Sequence, residues 1–121
     1  MSVPVLKDIV RQHAEQAAFL WTIYDDALLN PDDPDNESMD EERIARVLEQ
    51  LEAHIDGLRV AGADGLVIAE ERYGEFPEAG ELFVLRMLQP GAAGLKVADL
   101  DLDKVREYLR ANGVMEPGDQ A

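Results

Sequence analysis

Two histidines, His13 and His54, are the only imidazoles in this chain, and no cysteine accompanies them. Imidazole is the side chain that carries acid–base and metal chemistry near neutral pH, so the pair sets the first chemical question. Pro31 and Pro34 lie between them, and His13 and His54 stand 21 and 20 residues either side of Pro34. If the flanking segments are helices folded back at that bend, the two rings meet at nearly the same height. A metal site needs more ligands than two imidazoles. Glu15, Glu52 and Asp56 are near in sequence, but none makes a helical ligand spacing such as Glu-x-x-His. The expected role of His13 and His54 is therefore a structural, hydrogen-bonded polar pair, with no metal and no cofactor.

Other chemistry is thin. The chain has no Gly-x-Ser-x-Gly, no P-loop and no dinucleotide fingerprint, and its two serines are Ser2 and Ser38. Asp32, Asp33, Asp35, Asn36 and Glu37 could offer oxygens to a cation, yet the order and central glycine of a calcium loop are missing. No catalytic residues are assigned, and the expectation is that the chain is not an enzyme. A metal-dependent helical enzyme using His13 and His54 is the least favoured alternative.

The elements that must position these residues read as helices. Residues 5–29 carry Val10, His13, Ala17, Leu20, Trp21 and Tyr24 at three- and four-residue steps, with Leu6, Ile9 and Leu28 extending the stripe. The proline-rich stretch 30–37 cannot continue that helix and reads as a solvated loop. A second helix is expected to begin at Ser38, paired with Glu41 in a capping box, and to end near Gly62. Its stripe is Ile44, Val47, Leu48, Leu51, Ile55 and Leu58. Residues 63–74 form a third helix burying Leu66, Val67, Ala69 and Tyr73, although Leu66–Ile68 could also be a short strand. Helices over 78–89 and about 101–112 follow, separated by a breaker at 89–94. The fold class is all-α, with about five helices in antiparallel hairpins, as a bundle or a short solenoid. Residues 1–115 form one domain, and 116–121 are a mobile tail.

Charge is the strongest compositional signal: 26 acidic residues against 11 basic, formally −15. Apolar residues still make up 46% of the chain, enough for a core. An acidic surface repels nucleic acid and anionic lipid and suits a basic protein partner. Between Asp25 and Asp56 there are twelve acidic and two basic residues. Asp32, Asp33, Asp35, Glu37, Glu41 and Glu42, at the bend, are the expected partner-binding residues. With no signal-peptide pattern and no long apolar run, the expected location is the cytoplasm.

The phrases His13 to Trp21 and Leu51 to Gly62 resemble the opening of a family of uncharacterised bacterial HEAT-repeat-like proteins, over about residues 9–65. Gly80 to Leu85 resembles the inner helix of a first repeat. The resemblance implies an all-helical protein-binding scaffold and supplies no catalytic residue. In size, charge and helicity the chain also looks like the small acidic immunity proteins that bacteria keep beside secreted toxins. That likeness implies an inhibitor whose acidic face occludes the basic cleft of a toxin or effector domain. The inhibitor is the leading expectation, and a HEAT-like scaffold or adaptor segment is the alternative.

Overall fold

The computed structural model describes residues 4–112, with side chains from residue 7 onward. The tail expected at 116–121 lies outside the described residues. Five α-helices are present among them and no strand: α1 Pro4–Leu29, α2 Glu41–Val60, α3 Ala63–Glu75, α4 Ala79–Met87 and α5 Leu102–Ala111. None is long and apolar enough to cross a membrane. The chain is all-α, and residues 66–68 are helical rather than extended.

The two long helices form an antiparallel hairpin, and α1 also packs against α3 and α4. Its buried face is rich in small residues, Ala14, Ala17, Ala18 and Ala27, which let neighbouring backbones come close. Ile9 and Leu28, expected on the buried stripe, are instead exposed at its edges. In α2 the stripe deepens toward the C-terminus: Leu51, Ile55 and Leu58 are buried, whereas Ile44, Val47 and Leu48 are partly covered. In α3 Ala69 is buried as expected and Leu66 and Tyr73 are partly covered. The exception is Val67, which is exposed while Ile68 takes the buried place, on the helix whose Gly65 faces the backbone of α2.

Helix α2 does not begin at Ser38. Met39 N–H donates to the Asn36 carbonyl at 2.9 Å, so the bend persists through residue 39. Asp40 then caps the helix, its carboxylate accepting from Arg43 N–H at 2.8 Å. Glu41 and Glu42 fall in the first turn, at the positive end of the helix dipole.

Gly62, with φ of 61°, makes the turn from α2 into α3. The short α4 is buried on most of its circumference, through Gly80, Glu81, Leu82, Phe83, Val84 and Met87. A helix apolar nearly all round belongs inside a protein. Its anchor is a parallel stack of Phe83 on Trp21, centroids 3.9 Å apart and planes 7° apart. The segment after α4 is more ordered than a simple breaker. It contains two single 3₁₀ turns, Pro90–Ala92 and Val97–Asp99, before Asp101 caps α5.

Gly80 sets how closely α4 can approach α1. A Cβ there would stand 2.5 Å from the Ala18 carbonyl oxygen, whereas a Cβ on Gly74 would meet nothing within 4 Å. Gly80→Ala should therefore destabilise the fold by about 1–3 kcal/mol, the usual cost of overpacking. Gly74→Ala should be neutral or stabilising by up to about 1 kcal/mol. Urea denaturation followed by circular dichroism compares the two, and an equal effect of both would refute the close-approach account.

Candidate functional site

The bend between α1 and α2 is built around one buried amide. Asn36 is 8% exposed although every neighbour from Asn30 to Ser38 is exposed. Its Nδ2 donates to the Asn30 carbonyl at 2.9 Å, to the Asp26 carboxylate at 3.1 Å and to the Asp26 carbonyl at 3.3 Å. Asn30 Nδ2 donates to the other Asp26 carboxylate oxygen at 2.8 Å. The last turn of α1 is thereby closed onto the 3₁₀ turn Pro34–Asn36, which Asp33 caps by accepting from Asp35 N–H at 2.9 Å. The bend is thus a pinned structure rather than a freely solvated loop.

On this frame Asp32, Asp33, Asp35, Glu37, Glu41 and Glu42 are all exposed. Two of them have work inside the chain. Asp33 caps the turn, and Glu42 accepts from Arg46 at 2.7 Å across one turn of α2. Among the described residues the other four have no cation partner.

The structure brings His13 and His54 together, as their spacing about the bend requires. Their Nδ1 atoms are 2.9 Å apart and the rings are inclined at 54°. The imidazole of His13 fits between the helices because Gly57 faces it. A Cβ at residue 57 would stand 3.0 Å from His13 Nε2. One Nδ1 must carry the proton and the other must accept it, so the rings hold opposite tautomers. Burial first, and then the neighbouring His13, lower the pKa of His54. Two nitrogens on a tetrahedral zinc would stand about 3.3 Å apart, given bonds of about 2.0–2.1 Å. The closer approach here is that of a shared proton. Among the described residues no group of three or more His, Cys, Asp or Glu could hold a metal ion.

Three further polar groups had no signal in sequence spacing. Glu81, 7% exposed on α4, meets Arg72 of α3 at 3.3 Å, and the same guanidinium reaches Glu15 of α1 at 3.4 Å. Arg72 also lies over the Phe76 ring, 4.7 Å from its centroid. Burial raises the pKa of Glu81, against the opposing pull of the Arg72 hydrogen bond and charge. Glu52 of α2 accepts from Val97 N–H at 2.8 Å and Ala98 N–H at 3.4 Å, at the start of the second 3₁₀ turn. Arg59 binds the carbonyls of Leu95 at 2.8 Å and of Met87 and Ala92 at 3.1 Å. These contacts tie the segment after α4 to α2. Tyr24, buried on α1, has its pKa raised by burial and by the charge of Glu52.

Searches of protein-family models, curated proteins and solved structures found no match. None of the three comparisons supports the likeness of residues 9–65 to HEAT-like proteins.

Two outcomes test these polar contacts. Arg72→Met leaves the Glu81 carboxylate buried without its cation, which should cost about 3 kcal/mol near neutral pH. Because the pKa of Glu81 is already raised, acidification should neutralise it and shrink that loss. A loss unchanged between about pH 7 and about pH 5 would contradict the assignment. For His54 the folded pKa lies below the unfolded one, so the unfolded chain binds the proton more readily. Stability should therefore fall as pH drops through about 6.5, and His54→Gln should flatten that part of the curve. Urea midpoints across the same range read both effects.

Proposed function

We propose that this chain is a non-catalytic protein-binding module that captures a basic partner with the acidic bend between α1 and α2. The observation that carries the reading is the pairing of charge with rigidity. Six exposed carboxylates, four on a bend that the buried Asn36 locks to Asp26 and two on the first turn of α2 beside it, have Arg46 as their only cation partner among the described residues. A charged surface held in one conformation loses little entropy on docking, and an unneutralised one attracts an opposite charge from a distance. The polar groups with catalytic potential are engaged within the fold: the histidines with each other, Glu81 with Arg72, and Glu52 with two backbone amides.

The partner class that best suits such a surface is a basic toxin or effector domain, whose cleft the acidic bend would fill. In that case the module is an immunity-type inhibitor. Association would be fast and salt-sensitive, because the charges act before contact. Release would depend on apolar neighbours entering the interface.

The test is capture of the protein encoded by the adjoining gene, using the wild-type chain and a variant carrying Asp32→Lys, Asp35→Lys, Glu37→Lys and Glu41→Lys. These four positions avoid the two caps, Asp33 and Asp40, so the helical circular dichroism should be retained. Charge reversal should lower the association rate by about tenfold or more, and added salt should slow the wild type as well. Binding that is indifferent to both reversal and salt would place the contact surface elsewhere. A partner neither bound nor inhibited would end the inhibitor reading.

A further inference from the structure

Helix α5 rests on the rest of the bundle chiefly through Leu109, which is buried, while Val105 is half-covered and Tyr108 is 36% exposed. Between α5, α4 and the segment that joins them lies a cavity of about 430 Å³. That volume is within the range of roughly 300–1,000 Å³ usual for small-molecule sites. Its apolar lining is Phe83, Met87, Ala92 and Leu109, which are buried, with Leu100 and Val105, which are partly covered. Leu95 and Tyr108 stand exposed on its lining.

The charges on this cavity run against the sign of the whole molecule. Arg86 and Lys104 line it beside a single carboxylate, Asp101, in a chain of formal charge −15. The Asp101 carboxylate is already engaged as the cap of α5, accepting from Asp103 N–H at 3.1 Å and Lys104 N–H at 3.3 Å. The two cations are not so engaged. None of the ion pairs among the described residues involves Arg86 or Lys104. The guanidinium of Arg86 has only a 3.5 Å contact with Gln89 Oε1 and the face of Tyr108 at 5.6 Å. An apolar chamber whose guanidinium and ammonium have no acidic partner among the described residues is complementary to a molecule with an apolar body and an anionic end.

We propose that the cavity between α4 and α5 binds a small amphipathic carboxylate, with its apolar tail between the helices and its carboxylate at Arg86 and Lys104. A monoanion fits better than a dianion, because Arg86 and Lys104 less the carboxylate of Asp101 leave the lining a single positive charge, which one carboxylate neutralises. The guanidinium supplies a planar pair of donors that matches a carboxylate, and the ammonium adds a second charge-assisted contact. The site uses none of the six acidic residues of the bend and is independent of the partner they capture.

The test is calorimetric titration of the full chain with octanoate, with its uncharged analogue octanamide and with octyl phosphate. Octanoate should bind at one saturable site, about tenfold tighter than octanamide. The double variant Arg86→Gln, Lys104→Gln should bring octanoate down to the affinity of octanamide and leave octanamide unchanged. Both residues are at least partly exposed, so this variant does not disturb the core. Val105→Trp, which fills the chamber, should weaken both ligands by about tenfold or more, with helical circular dichroism confirming the fold. Equal affinity of wild type for octanoate and octanamide overturns the proposal, as does an absence of saturable binding. Tighter binding of octyl phosphate overturns the carboxylate assignment. If neither probe binds and the chain sediments as a dimer that Val105→Trp disrupts, the groove belongs to a second copy and the proposal fails.

Discussion

Helix α4 is lodged against α1 at a distance that only a residue without a side chain permits, and much else in the molecule follows from that contact. At Gly80 the two backbones meet, with the Ala18 carbonyl where a Cβ would be. Three residues on, Phe83 lies flat on Trp21. Aromatic contacts of this kind contribute about 0.5–1.5 kcal/mol beyond the apolar area they bury. A nine-residue helix has too few internal hydrogen bonds to stand alone, so its stability must come from this packing. The same burial imposes a cost. Glu81, next to Gly80, is carried into the interior with its carboxylate, and Arg72 of α3 must follow it there. That arginine also holds Glu15, so the position of α4 draws α1 and α3 together through a charge as well as through apolar contact.

The C-terminal end of α4 creates a second requirement. Helix ends leave carbonyls without partners, and Pro90 prevents the helix from continuing over them. Arg59, from the last turn of α2, accepts the task by donating to Met87, Ala92 and Leu95 carbonyls. Glu52, two turns earlier on α2, performs the opposite service and accepts from the amides of Val97 and Ala98. An acid and a base on one helix thus hold the two polarities of one irregular segment. That segment sets the height at which α5 begins, and with it the chamber between α4 and α5.

Local periodicity revealed the helices because each repeats a pattern within its own length. The stripe Leu51, Ile55, Leu58 and the register of His13 with His54 about Pro34 are of this kind. What spacing could not reveal are contacts whose partners lie far apart in the chain. Glu81 looks like any other acid beside a helix start, and its burial depends on Gly80 meeting Ala18, 62 residues away. Ser38 was as good a cap by residue type as Asp40. The choice between them was made by Asn36, whose bonds to Asp26 and Asn30 extend the bend past Ser38. The acidic character of the bend was legible from composition, but its rigidity was not, because a single buried asparagine supplies it.

These internal demands also shape the outer field of the molecule. Positive charge is scarce here, and several arginines are turned inward: Arg59 to carbonyls, Arg72 to Glu15 and Glu81, and Arg106 to Asp25 at 2.7 Å. Each cation spent in this way stabilises a contact within the fold and is half-hidden from solvent, where it would otherwise offset the surface carboxylates. Beside the bend stand only Arg43 and Arg46, and of these only Arg46 pairs with a carboxylate among the described residues. The surplus of negative charge there is therefore a consequence of folding as well as of composition. Arg86 and Lys104 are not held in this way: among the described residues neither has an acidic partner or a backbone carbonyl to bind, and both line an apolar chamber. The molecule thus carries two charged features of opposite sign, an acidic bend at one end of the long hairpin and a pair of cations lining the cavity under the last helix.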